Sequence, residues 1–259
     1  MDKKELYQYV GSMQQMAYIR KVTCEEGRST GLRMFDVKNE CLQYQVMCDK
    51  CLDVAGLTYK GINMNFLSKP GLQGRNHYDT NGQEAFREEP LMLLYHINLG
   101  YPFLTPATKL YIPTKKVTPR DEASAGHEAD YDQMDRPKKN EPEYVFIHDI
   151  KKTKDKRTWV FAVNPDLKLG LKIEYSTKNF PYFMEWKSTA AGDYVIGLEP
   201  SNSGVYGRGL HEKNGDLHML QPFEKERNEL IFTVLDGEEE IRAELEKFNR
   251  INCEAVIRL

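Results

Sequence analysis

The sequence predicts a mostly β protein, a sandwich or barrel of many short strands. Three observations carry that reading. Apolar and polar residues alternate with a period of two through most of the chain, turn residues separate the alternating runs at regular intervals, and only two segments show helical spacing. Strands separated by long helical patterns, the mark of a parallel βαβ fold, are missing from this sequence.

Taken in order, residues 2–13 predict a short helix, with Leu6, Tyr9 and Val10 at helical spacing. Leu32 and Met34 then alternate with Arg33 and Phe35, and Leu42, Tyr44 and Val46 alternate with Gln43, Gln45 and Met47. Further strands are expected over 53–60, 62–67, 91–97, 143–150 and 158–163. The clearest is 169–175, where Leu169, Leu171, Ile173 and Tyr175 share one face and Gly170, Lys172 and Glu174 the other. Strands over 181–187, 194–199, 217–220 and 229–235 follow. Asn164-Pro165-Asp166, Ala191-Gly192-Asp193, Asn214-Gly215-Asp216 and Asp236-Gly237 supply the turns. Residues 238–249 predict the second helix, whose acidic first turn suits the helix dipole. Residues 119–142 are charged, proline-bearing and without periodicity, which marks a long loop of the kind that compact domains keep for function. One domain over 1–259 fits the length, since β domains often run to roughly 200–250 residues.

The chain has 259 residues, a formal net charge of −3, 40% hydrophobic and 29% charged residues. A chain this long buries about 70–75% of its unfolded surface, so its core needs no metal or disulfide. The balanced charge gives no basic stripe for nucleic acid. No apolar run approaches the roughly 20 residues that span a bilayer, and the polar N-terminus does not read as a signal peptide. Cytoplasmic location and no membrane partner are the expectations. Five cysteines, an odd number, argue against a disulfide framework. Cys48 and Cys51 form a C-x-x-C, but no second pair completes a four-ligand zinc site, and the strand-like flanks do not suit a redox motif. A chance pair in a β-hairpin is the better reading.

Four clusters place polar groups among aromatics at strand ends: Tyr95 to Pro102, Glu185-Trp186-Lys187, Gly197 to Asn202, and Cys48 to Asp53. Rings that stack on C–H faces, with directional hydrogen-bonding groups between them, are what a sugar in an open groove needs. Each cluster alone is unspecific, because such residues more often serve structure or solvation.

Together they resemble a known family. Leu94-Tyr95-His96-Ile97-Asn98-Leu99-Gly100-Tyr101-Pro102, Tyr182-Phe183-Met184-Glu185-Trp186-Lys187 and Tyr194-Val195-Ile196-Gly197-Leu198-Glu199-Pro200-Ser201-Asn202 are similar to segments of the aldose 1-epimerase-like proteins of the domain-of-unknown-function 4432 family, within the galactose mutarotase-like superfamily. Asp49-Lys50-Cys51-Leu52-Asp53-Val54 resembles the family's D-R-G-L-D-I, and Tyr59-Lys60-Gly61 and Leu67-Ser68-Lys69-Pro70-Gly71 fall where the family has similar residues. The resemblance covers most of the chain in the right order.

It implies a galactose mutarotase-like β-supersandwich with a shallow sugar groove, and anomer interconversion by acid–base ring opening without cofactor or metal. His96 would be the general acid and Glu199 the base. An imidazole with a pKa of about 6.5 can donate at neutral pH, and a carboxyl of about 4.3 is ionised and can accept. Asn98, Lys187, Asn202, Asp49 and Arg208 would contact the substrate. Lys50, Lys187 and Arg208 hint at an anionic sugar, although cations at strand ends are more often simply solvated.

Two departures stand out. Lys50 and Cys51 replace the family's Arg and Gly, and a lysine lacks the guanidinium fork. A family segment with a G-L-H-G-R motif is missing where Arg87 meets Glu88, which would truncate the sheet. The rival to an isomerase is therefore a non-catalytic carbohydrate-binding protein or pseudoenzyme, and behind it a chain that keeps these motifs for folding. Strand edges exposed by the missing segment would predict a homodimer.

Overall fold

The computed structural model describes residues 8–50, 52–68, 71–74, 88–153 and 155–254. The chain divides into two compact units, Met1–Tyr78 with Gly100–Pro102, and Asp79–Leu99 with Phe103–Leu259.

In the first unit, β1 (Ala17–Thr23), β2 (Arg33–Asn39), β3 (Leu42–Met47), β4 (Val54–Tyr59) and β5 (Ile62–Asn63) form an antiparallel meander in chain order. Alternation along β2 buries Met34 with Leu32 and Ala55, and Val22, Met47 and Leu72 pack around them. Asp36 shares that face further along and is held by Arg20 Nε at 3.2 Å and Gln43 Nε2 at 3.1 Å. Burial would raise its pKa, but hydrogen bonds from Gln43, Arg20 and Tyr18 outweigh burial and hold the carboxyl below its ordinary value.

The helix expected over 2–13 falls largely outside the described residues. Residues 8–12 form a turn and a bend, and Met13–Gln15 makes a 3-10 turn closed by a capping box on Ser12. The C-x-x-C lies between β3 and β4, a hairpin as expected; Cys48 is free, and Cys51 lies outside the described residues.

Apart from Gly100 at the end of β7, the second unit holds β7 (Ile97–Gly100), β9 (Thr114–Pro119), β10 (Glu143–Ile150), β13 (Tyr182–Ala190) and β14 (Asp193–Ser201), which form a sheet of order β7-β14-β13-β10-β9. A four-stranded sheet has the order β16-β12-β11-β8, with β8 (Lys109–Tyr111), β11 (Arg157–Asn164), β12 (Leu169–Ser176) and β16 (Leu230–Asp236). A small pair joins β6 (Glu89–Pro90) to β15 (Met219–Leu220).

The alternating run of β12 buries Leu169, Leu171, Ile173 and Tyr175. Tyr175 stacks on Phe183 of β13 at 6.1 Å, so the two sheets face each other through these residues. Each such side chain contributes about 1.5–3 kcal/mol by leaving water. The opposite face of the four-stranded sheet, with Phe161, Val163 and Leu235, is covered by α2 (Glu238–Glu254). Ile241, Leu245 and Phe248 sit on one face of that helix because they recur at four and three residues. The helix was expected at 238–249 and runs five residues further. A shorter helix, α1 (Arg208–Asn214), had no counterpart in the sequence reading.

Where 91–97 was expected as a strand, regular pairing starts only at Ile97, with an isolated bridge from Leu94 to Ser201. The long loop after β9 is ordered. It includes a 3-10 turn, Glu128–Asp130, and is tied down by a buried side chain described below. Among the described residues, no helix is long and apolar enough to cross a membrane.

Candidate active site

The five-stranded sheet has two faces, and the register assigns side chains to each. On β13, Phe183, Glu185 and Lys187 point towards the four-stranded sheet, since Phe183 meets Tyr175 there. Met184 and Trp186 point the other way, opposite Glu199 and Gly197 of β14. This outer face carries the candidate site.

His96 Nε2 lies 2.9 Å from Glu199 Oε1, with the imidazole side chain 43% exposed and the carboxylate 5% exposed. Glu199 Oε1 has no hydrogen-bond partner of good geometry, so the attraction is one of proximity and charge. The Trp186 ring meets the imidazole edge-on at 5.4 Å, and its Nε1 donates to Glu143 Oε2 at 2.9 Å. Asn98 lies two residues beyond His96, with its Oδ1 buried and without a hydrogen-bond partner among the described residues.

The His96 pKa is raised above its ordinary value. Burial by itself would lower it, but the Glu199 carboxylate outweighs burial and the Asn98 side chain assists. The upward shift favours the imidazolium more than in an ordinary histidine, the direction that suits a proton donor beside a carboxylate acceptor.

Gly197 makes the approach possible. A Cβ at that position would stand 2.8 Å from His96 Cε1 and 2.9 Å from Glu199 Oε1, closer than real Cβ contacts come. Sequence reading placed Gly197 in a cluster without seeing this role. Its position two residues before Glu199 in an alternating strand was the available signal. Trp186 was part of a cluster that the sequence nominated, and Glu143 was not singled out.

Three other candidates are committed elsewhere. Lys187, expected at the substrate, lies on the inner face. Its ammonium donates to the carbonyls of Asp130 at 2.8 Å, Tyr131 at 3.3 Å and Gln133 at 3.1 Å, which anchors the long loop. Burial lowers its pKa, opposed by Glu185 and by Asp130, Asp132 and Asp135. Asn202 spends its amide on backbone groups of Leu93 and Leu91. Arg208 is 61% exposed and pairs with Glu212 one turn along α1, at 2.8 Å.

Asp49 belongs to the first unit, where its carboxylate grips the Arg33 guanidinium and backbone. Lys50 belongs to the same unit. An open hollow of about 590 Å³ lined by Thr105, Ala107, Arg136 and Asp166 contains neither His96 nor Glu199. Among the described residues no cluster of histidine, cysteine and carboxylate groups could hold a metal ion.

The family model described as domain of unknown function (DUF4432) matches residues 83–234. The quoted segments at Asp49–Val54 and Leu67–Gly71 lie outside that match. No curated protein matches the sequence. Among solved structures, a Klebsiella pneumoniae subsp. pneumoniae MGH 78578 protein provisionally named an aldose 1-epimerase has a TM-score of 0.81 at 15% identity. The alignment covers 90% of this chain and 87% of that one, so the chain is not short against this neighbour. At that identity the likeness shows the fold, a galactose mutarotase-like β-sandwich. A TPR-domain containing protein from Parabacteroides distasonis ATCC 8503 has a TM-score of 0.47 at 12% identity, covering 85% of this chain and 52% of that one.

Proposed function

The chain belongs to the DUF4432 family, and from that premise we propose that it binds a free sugar and interconverts its anomers as an aldose 1-epimerase-like isomerase. The observation that carries the reading is the His96–Glu199 pair, 2.9 Å apart on the outer sheet face, with the imidazole 43% exposed and an indole beside it.

In the proposed reaction Glu199 accepts the proton of the anomeric hydroxyl while His96 donates its Nε2 proton to the ring oxygen. The bond between the anomeric carbon and the ring oxygen breaks, giving the open-chain aldehyde. Rotation about C1–C2 presents the other carbonyl face, and ring closure with both protons returned yields the other anomer. No redox partner or cofactor enters the balance. Because the two groups touch each other, the sugar hydroxyl and ring oxygen must come between them. General acid and base groups of this kind typically contribute about 10²–10⁴-fold each.

The charges argue for a neutral sugar rather than an anionic one. Lys187 is sealed on the inner face, Arg208 is paired with Glu212, and the site itself carries the Glu199 carboxylate. The second reading, a carbohydrate-binding protein without turnover, draws on the same contact: an acid and base already paired lose their reactivity unless the ligand separates them.

Saturation-transfer NMR across a panel of neutral, phosphorylated and acidic aldoses separates the two readings, with wild type and Glu199→Gln side by side. Exchange faster than buffer in the wild type and lost in the variant supports the isomerase. Saturable binding without exchange favours the second reading, and neither binding nor exchange in folded protein sinks both.

A further inference from the structure

The stretch that carries His96 has no complete strand ladder of its own. Residues 91–96 run beside the end of β14, with the Asn202 N–H donating to Leu93 O at 3.0 Å and the Tyr95 N–H to Pro200 O at 3.1 Å. Beyond Ser201 the backbone of β14 turns away, so the ladder lacks its next donor and acceptor.

The Asn202 side chain fills that gap. Its Oδ1 accepts from the Leu93 N–H at 2.7 Å, and its Nδ2 donates to Leu91 O at 2.9 Å. A primary amide offers the same acceptor and donor as a peptide group, and only one amide orientation satisfies both bonds. Ser201 Oγ adds a contact to the same Leu93 O at 3.1 Å. Ser201 at the end of β14 and Asn202 just beyond it therefore hold the backbone three residues before His96.

We propose that Asn202 is the positioning residue of the His96–Glu199 pair: its amide stands in for a missing strand partner, fixes residues 91–95 against β14, and so sets the imidazole over Gly197 beside Glu199. Asn202 touches none of the reacting groups. It acts through the backbone of Leu91 and Leu93. The geometric part of this inference is independent of the reaction; its kinetic part rests on the isomerase reading.

The test uses full-length protein labelled at histidine side chains, with the His96 titration followed by NMR in wild type, Asn202→Ala and Ser201→Ala. In wild type the His96 midpoint is expected above that of an ordinary histidine. A folded Asn202→Ala protein whose His96 midpoint moves down supports the proposal. A folded variant with the wild-type His96 midpoint overturns it. Should Asn202→Ala fail to fold, Ser201→Ala decides: a smaller downward move supports the clamp, and no move overturns it. If wild type exchanges anomers, Asn202→Ala is expected to lower kcat by about 10–100-fold with KM little changed, the signature of a misplaced group. Absence of exchange in wild type strikes at the isomerase reading alone and leaves the titration result standing.

Discussion

One sheet of this protein holds two histidine–glutamate pairs, on opposite faces. His96 and Glu199 lie 2.9 Å apart on the outer face, with the imidazole 43% exposed. His148 and Glu185 lie 3.3 Å apart on the inner face, both side chains 0% exposed. The residue types are the same and the strands are neighbours, so chemistry alone does not distinguish them. Access does. The inner pair sits under the long loop, with the Tyr131 ring 5.0 Å from His148 and Lys187 anchoring the loop backbone beside it. Burial pushes the Glu185 carboxyl above its ordinary value, because a charge there loses its water, and the nearby His148 and Lys187 only partly oppose this. Burial also pushes the Tyr131 phenol up to about 12. The inner cluster holds the loop, and the outer pair keeps its imidazole 43% exposed over a buried carboxylate.

The sharpest way to break this comparison is to change one glutamate at a time. Glu199→Gln is expected to cut anomer exchange by about 10²–10⁴-fold with thermal stability near wild type. Glu185→Gln should leave exchange per folded molecule unchanged. Equal loss of exchange in both variants would remove the distinction between the pairs.

Lys187→Met tests the inner face alone. It strips a donor from three loop carbonyls, so unfolding stability is expected to fall by about 2–4 kcal/mol in urea titration, while the folded protein keeps its sugar affinity. Loss of affinity at unchanged stability would return Lys187 to the site.

Gly197→Ala acts on the outer face. The added methyl stands within 2.9 Å of both partners and must push them apart. Exchange is expected to fall by about 10–100-fold, and the His96 titration midpoint to move down.

Both pairs have a group whose pKa is raised on folding, so each stabilises most at low pH and less as pH rises. For Glu185 the contribution is complete below the ordinary carboxyl value of about 4.3 and is lost as pH climbs through its raised folded value. For His96 the window starts at about 6.5 and ends above it, and its contribution is small because the ring is half exposed. Stability measured across pH should lose the lower window in Glu185→Gln and the upper one in Glu199→Gln. The alkaline limb of exchange should follow His96.

The smallest effect is assigned to Arg208→Ala. An exposed ion pair within one helix turn changes stability by less than about 0.5 kcal/mol, and ligand affinity should not move.

Much of the fold is legible in the sequence. The strand expected at 143–150 is Glu143–Ile150, and that at 169–175 is Leu169–Ser176, because alternation and turn residues are local signals that survive folding. β1 at Ala17–Thr23 went unseen: its residues are mostly exposed, so no alternating apolar face marks it. β8, at three residues, is too short for a period to show. The stretch 91–96 has the composition of a strand but finds its partners in the side chain of Asn202, which no propensity predicts.

By itself the sequence determined a mostly β protein, its main turns and its C-terminal helix, while the nomination of His96 and Glu199, residues 103 positions apart, came from the family resemblance. Period two also contained the fact that Glu185 and Lys187 must leave Trp186 on the other face. Which histidine stays exposed was decided only by tertiary structure, since exposure depends on what packs above a strand and not on the strand itself. Tertiary structure likewise brought His96 to Glu199, left Gly197 as the one space that admits them both, buried Lys187 under a loop more than fifty residues away, and turned Asn202 from a candidate ligand contact into a backbone clamp. Contacts between residues so distant in the chain carry no local signature, because their energy exists only once the sheet has assembled.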